Sequence, residues 1–353
     1  MGRRCRHVDF SKYTLVDPST SPGGASDPNL VLTTNNYRNT EAYDNLKVQA
    51  LINELNGKTP LGDASAKVPN ITAMNFQAVS VAQKLLSNTS GTGGINPDGS
   101  VNPALQSALA QTDLSVKKIV DTLKADRLDK STLVVLTAKH GQDPRIGAAT
   151  LVKDNLIPDV LTNAGIGVAQ ATQDDVSLIW LKDQAQAAQA ISVLDALAGT
   201  AAGVSISQVL PGTDFGKPLT DNRTPDLIVK LKPGYIYVGN TSSTVKRAEH
   251  GGLNPDDLDV PIILSSDGLD PSLFGDVITS GVFTTQLAPT ILEALGLNPE
   301  LLDGVRLEGT QALPGAPFAV PEPATWVLMG LGLIGVGSLR GRGWNDLRTP
   351  LHI

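Results

Sequence analysis

Residues 103–126 carry Leu105, Ala108, Leu109, Thr112, Val116, Ile119, Val120 and Leu123 at spacings of three and four, and residues 131–137 follow as an uninterrupted apolar run. The first pattern lays one apolar stripe along a helix, and Pro103 suits its first turn. The second is the pattern of a strand buried on both faces of a sheet. The rhythm continues with strands over 176–181, 226–231 and 235–238, an alanine-rich helix over 183–198, a second buried strand over 260–265 and a closing helix over 285–295. Upstream, residues 43–55 predict a helix with Leu46, Ala50, Leu51 and Leu55 on one face and Gly57 past its end, and residues 68–81 read as a strand-like stretch. Such alternation predicts an α/β domain, a sheet flanked by helices, over residues 42–312. Residues 143–247 separate two of its strands and are expected to form a smaller α+β cap. Residues 1–41, rich in Ser, Thr, Pro, Asn and Gly, read as an irregular leading segment.

Charge and cysteine narrow the chemistry. A formal net charge of −7 without clustered Lys and Arg argues against a duplex nucleic-acid partner, since phosphate neutralisation needs such clusters. The single cysteine, Cys5, forms no internal disulfide and no thiolate cluster, so a metal site in this chain draws on His, carboxylates, amides or hydroxyls.

The two ends differ. Behind the basic residues near Met1 there is no apolar run of the kind a secretory signal needs. At the other end, within a linker-and-tail segment over 313–353, Pro321, Glu322 and Pro323 introduce an apolar run over 325–339 that Arg340 and Arg342 close. As a helix rising ~1.5 Å per residue the run is somewhat short of a hydrocarbon core of ~30 Å, a marginal anchor on its own. Its layout resembles the PEP-CTERM sorting signal of Gram-negative bacteria that make exopolysaccharide. That resemblance implies export to the cell surface or periplasm, transient anchoring in the inner membrane and processing by an exosortase-type enzyme. Residues 343–353 extend beyond the usual end of such a tail.

Two of the four histidines share a setting: His140 and His250 are each followed by glycine, the first directly after the 131–137 run and the second shortly before 260–265. Loops beyond the carboxyl ends of strands are where open α/β sheets bind ligands, and a neutral imidazole is a good zinc ligand. Both are therefore candidate metal ligands, expected to lie close together although 110 positions separate them.

Thr132-Leu-Val-Val-Leu-Thr-Ala-Lys-His-Gly141, the Glu249-His-Gly-Gly252 block and the helix over 284–296 resemble, in order, blocks of the alkaline phosphatase superfamily, in particular its type I phosphodiesterase and nucleotide pyrophosphatase branch. The resemblance implies an alkaline-phosphatase-like sheet and metal-dependent hydrolysis of phosphomonoesters or phosphodiesters, small or polymeric. It implies a divalent metal, Zn²⁺ first, with Mn²⁺, Mg²⁺ or Ca²⁺ as alternatives. By position His140 and His250 match metal ligands. Lys139 stands where the family has a ligating Asp, and as an ammonium it is expected to contact phosphate or substrate. Asn75 and Gln77 occupy the place of an upstream Asp and His and offer amide oxygens suited to hard cations. The family's hydroxyl nucleophile has no match, Thr33 and Thr34 lacking a preceding strand, so the chain is expected to be an N-terminally truncated and inactive form. The alternative is a non-catalytic exported surface or matrix protein on a degraded phosphatase scaffold.

Overall fold

The structure is a computed structural model that describes residues 36–86, 91–242, 246–269, 271–279 and 281–314. Thr33, Thr34 and the tail residues Pro321, Glu322, Pro323, Arg340 and Arg342 lie outside the described residues. The chain is mixed α/β and divides into two compact units. One holds the described residues up to Asp129 together with Leu136–Ile263; the other holds Lys130–Val135 together with the described residues from Leu264 onward.

In the first unit helix α1 (Tyr37–Leu55) starts within the segment read as irregular. The Asn36 side chain accepts from the N–H groups of Arg38 and Asn39 at 3.0 and 3.3 Å, satisfying donors that a helix start leaves open. Helix α2 (Ala78–Lys84) and helix α3 (Pro103–Ala125) pack with it. Tyr37, Ala78, Val81, Ala82, Leu85, Ala104, Leu105 and Ala108 form a small buried cluster, half of it alanine. The strand expected over 68–81 is not formed. Asp44 of α1 places one carboxylate oxygen 2.9 Å from the N–H groups of both Gln77 and Ala78, so these backbone donors open a helix instead of a ladder.

Strands β1 (Val134–Thr137) and β8 (Ile262–Ser265) pair with each other in a two-stranded sheet. Their expected burial on both faces is not found: Leu136 is 40% and Ile263 50% exposed. With no further strand beside them among the described residues, apolar side chains on these strands keep open faces.

Within residues 143–247 the chain forms a parallel pair and an antiparallel sheet. Strand β2 (Thr150–Lys153) pairs with β7 (Tyr235–Val238), Leu151 opposite Ile236. Strands β3 (Val168–Gln173), β4 (Val176–Leu181), β5 (Ile206–Pro211) and β6 (Leu227–Leu231) lie in the order β3-β4-β6-β5. Helices α4 (Leu156–Asn163) and α5 (Ala187–Ala198) cover it. Ile157 and Leu161 of α4, Leu194 of α5, Ile179 of β4 and Leu227, Val229 and Leu231 of β6 are fully buried in one core. Asp226 closes the end of this sheet: its carboxylate accepts from Leu181 N–H at 2.7 Å and from the Gln184 amide at 2.9 Å.

Helix α6 (Pro255–Leu258) precedes β8. In the second unit helix α7 (Leu287–Ala294) follows a short 3₁₀ turn over Thr284–Gln286, and α8 (Asp303–Glu308) ends at Gly309 in the left-handed conformation. Thr290 of α7 accepts from Leu313 N–H at 2.8 Å, which fixes the chain beyond α8 against α7.

Candidate functional site

The loop leaving β1 and the loop before α6 run against each other. Gly141 N–H donates to the Asp257 carbonyl at 2.6 Å, and Asp143 and Glu249 exchange backbone hydrogen bonds at 2.9 and 3.1 Å. A side chain at position 141 would put its Cβ 2.0 Å from the Asp256 carbonyl oxygen, so only glycine lets the loops approach this closely. The result is that His140 and His250 stack, ring centroids 3.9 Å apart with planes inclined by 30°. His140 Nδ1 lies 2.8 Å from the Gly141 carbonyl oxygen, an acceptor, so Nδ1 is the donor of this hydrogen bond.

Beside the pair stands a carboxylate that sequence reasoning did not select. Glu249 is 3% exposed, and both of its oxygens are taken: Lys84, at the end of α2, binds Oε1 and Lys246 binds Oε2 at 2.6 Å. Burial alone would raise the Glu249 carboxyl; the ammoniums of Lys84 and Lys246 outweigh it and hold the group below its ordinary range. His250 Nε2 lies 3.8 Å from the Glu249 oxygen that Lys84 holds. Burial first, then Lys84 and His140, push the imidazole of His250 down to about 4, so it is neutral at pH 7. Lys139 is exposed, and its charge acts on His250 in the same direction.

Arg247 secures the frame. Its guanidinium donates to the carbonyl of Gly147 at 2.9 and 2.7 Å, to that of Ile95 at 2.9 Å and to that of Gly93. This buried cation ties α2's following loop to residues 247–250 through backbone oxygens. Beneath the loops lies an acid pair. Asp175, in the β3–β4 turn, and Asp257 are almost fully buried, and as two carboxylates they would leave four oxygens without a donor. One shared proton relieves two of these oxygens, because a protonated carboxyl donates to its neighbour, and the backbone of Gly252 and Asn254 lies at Asp257. Burial and Asp257 accordingly push Asp175 up to about 10. Asp143, raised by burial, is satisfied by Gly234 N–H at 2.9 Å and the Asn254 amide at 2.7 Å.

The other sequence candidates do not join the pair. Asn75 and Gln77 are exposed and face α1: the Asn75 carbonyl accepts from Lys47, and Gln77 N–H donates to Asp44. Among the described residues no three His, Cys, Asp or Glu side chains group as a metal site. Members of the alkaline phosphatase superfamily use divalent metals. The residues assembled here do not fit one, because the carboxylate next to the imidazoles is held by two ammoniums that would face the dication.

Sequence comparison identifies the family. The family model of type I phosphodiesterase / nucleotide pyrophosphatase matches residues 7–253, and that of the PEP-CTERM protein-sorting motif matches residues 319–342. Among solved structures, human ectonucleotide pyrophosphatase / phosphodiesterase 5 is 13% identical over 67% of this chain and 63% of that one, with a TM-score of 0.43. The murine protein, in an inactive form in complex with AMP, gives 13% over 67% and 63% with a TM-score of 0.41. Wild-type alkaline phosphatase PafA gives 15% over 57% and 42% with a TM-score of 0.40. The chain thus spans 63% of the length of the human protein. No curated protein matches it.

Proposed function

The chain belongs to the type I phosphodiesterase / nucleotide pyrophosphatase family of the alkaline phosphatase superfamily and carries a PEP-CTERM sorting motif, and we propose on that premise that it is an exported phosphoester-hydrolase-type protein whose phosphoester centre is built on His140 and His250. The observation that carries this reading is the stacking at 3.9 Å of two imidazoles 110 positions apart in the chain. Packing of apolar groups does not call for such a pair, whereas holding or relaying a proton near an oxyanion does. His250, neutral at pH 7, and His140 each offer ring nitrogens for hydrogen bonding to a reacting hydroxyl or water. The exposure of Lys139 supports its role as the contact to a substrate oxygen.

The sorting segment supports a location at the cell surface or in the periplasm, with the tail held transiently in the inner membrane until an exosortase-type enzyme processes it. The test of function is turnover of aryl phosphate mono- and diesters by the 353-residue chain and its His140→Ala variant. Turnover lost on substitution supports a hydrolase. Absence of both turnover and phosphoester binding removes the reading.

A second reading is favoured by one observation, the sequestering of Glu249 by two lysines. It is a non-catalytic surface protein on a phosphatase scaffold, for which the same assay shows phosphoester binding without turnover.

A further inference from the structure

Lys84, Lys246 and Glu249 form a clamp whose chemistry is that of an anion site. Glu249 is buried with both oxygens engaged, so a metal ion seeking it must first displace two ammoniums and then sit between them. Like charges at that distance repel strongly where water is partly excluded. The clamp leaves the ammoniums themselves usable. Each has more N–H donors than its single contact with Glu249 consumes, and the side chains of Lys84 and Lys246 are 21% and 38% exposed.

The surrounding charges favour the same ligand. Lys139 adds a third ammonium, whose charge acts on His250 in the same direction as that of Lys84. Opposed to these three ammoniums stand Glu249 itself and Asp174 of the β3–β4 turn. Asp175 and Asp257 share a proton beneath the loops, and Asp143 is occupied by Gly234 and Asn254.

We propose that this centre binds the phosphoryl oxyanion of a phosphoester directly, on the ammoniums of Lys84 and Lys246, without a divalent metal. Glu249 is the positioning residue that holds the two lysines at the His140–His250 pair. The inference rests on the phosphoester reading above and departs from the metal dependence of the superfamily. It also explains why a lysine at position 139 is compatible with the site: a third ammonium adds to an oxyanion site and would oppose a dication.

The experiment is calorimetric titration of the full chain with inorganic phosphate and with an aryl phosphodiester, in excess chelator and again with Mg²⁺ or Mn²⁺. Binding of equal affinity in both media is expected, weakening with added salt. Lys84→Met should weaken it about tenfold or more, the loss of one charge-assisted contact, and Lys84→Arg should retain most of it. Because Lys84→Met strips a partner from a buried carboxylate, the double variant Lys84→Met/Glu249→Gln serves as a second probe that leaves no such charge unpaired. Lys117→Met, on the exposed face of α3, should change nothing. Binding only in the presence of metal overturns the inference and leaves the phosphoester reading intact. Absence of binding in both media overturns both. Binding in chelator that neither Lys84 variant weakens places the anion elsewhere and overturns the inference alone.

Discussion

The antiparallel sheet β3-β4-β6-β5 and the pair β1–β8 are built from sequence runs that look alike and end in different surroundings. In β4 and β6 most residues are buried and none is exposed, because α4 and α5 close over one face and neighbouring strands flank both. In β1 and β8, runs just as apolar are no better than half-buried, with exposed positions in each. An apolar run states what a strand tolerates. Its neighbours decide how much water is removed, and hydrophobic stabilisation scales with that area.

The comparison can be broken first at its strongest point. Ile179→Ala in β4 removes fully buried volume from a closed core and should cost about 2–5 kcal/mol in urea unfolding. A loss below about 1 kcal/mol would mean that this sheet is no better packed than the β1–β8 pair.

Gly252→Ala probes the seam between the antiparallel sheet and the histidine loops. Its Cβ would meet an Asp257 carboxylate oxygen at 2.3 Å and Asp175 Cβ at 2.8 Å, both in crowded, buried positions. A destabilisation of about 1–3 kcal/mol is expected, together with weakened phosphate binding as the His250 loop shifts. Full stability and unchanged binding would show that the seam relaxes freely.

Asp175→Asn sharpens the same seam through pH. The folded-state value near 10 lies above the ordinary 3.8, so the folded chain holds a proton that the unfolded chain has released. The stability contributed by that proton is complete below about pH 4 and is lost progressively as pH rises toward 10. The carboxamide of the variant has no such proton to lose. The melting temperature of the variant relative to the parent should therefore climb steadily between about pH 5 and about pH 9. A flat difference would show that Asp175 is ionised in the folded protein.

The smallest effect is expected from Ile263→Ala in β8. Half of this side chain already meets water, so its truncation should cost less than about 1 kcal/mol by the same urea measurement. A cost equal to that of Ile179→Ala would erase the contrast between the two sheets.

Several elements were legible because periodicity is a local property. The strand over 176–181 coincides with β4, the helix over 103–126 with α3, and the closing helix over 285–295 with α7 and its leading turn. The reading failed where a distant group intervened. Residues 69–77 look extended, and Asp44 from another helix turns the following segment into α2. Segment 37–40 looks irregular until Asn36 caps it. Leu109 belongs to the α3 stripe by spacing and is 46% exposed, since nothing among the described residues covers that turn.

At the site the division runs between identity and arrangement. The two His-Gly settings, the Lys at 139 and the sorting motif near the end are written in the residue order, and they led to the superfamily without coordinates. The clamp is not written there. Lys84 and Glu249 are 165 positions apart, neither belongs to a recognisable motif pair, and a lysine at the end of an amphipathic helix is an ordinary solvated residue until folding sets it against a carboxylate. Sequence determined which chemical groups are available and which local shapes the backbone prefers. Tertiary structure alone decided which of them share a low-dielectric space, and charge interactions depend on that distance and that dielectric, so only the folded chain could turn a metal-site candidate into a cationic one.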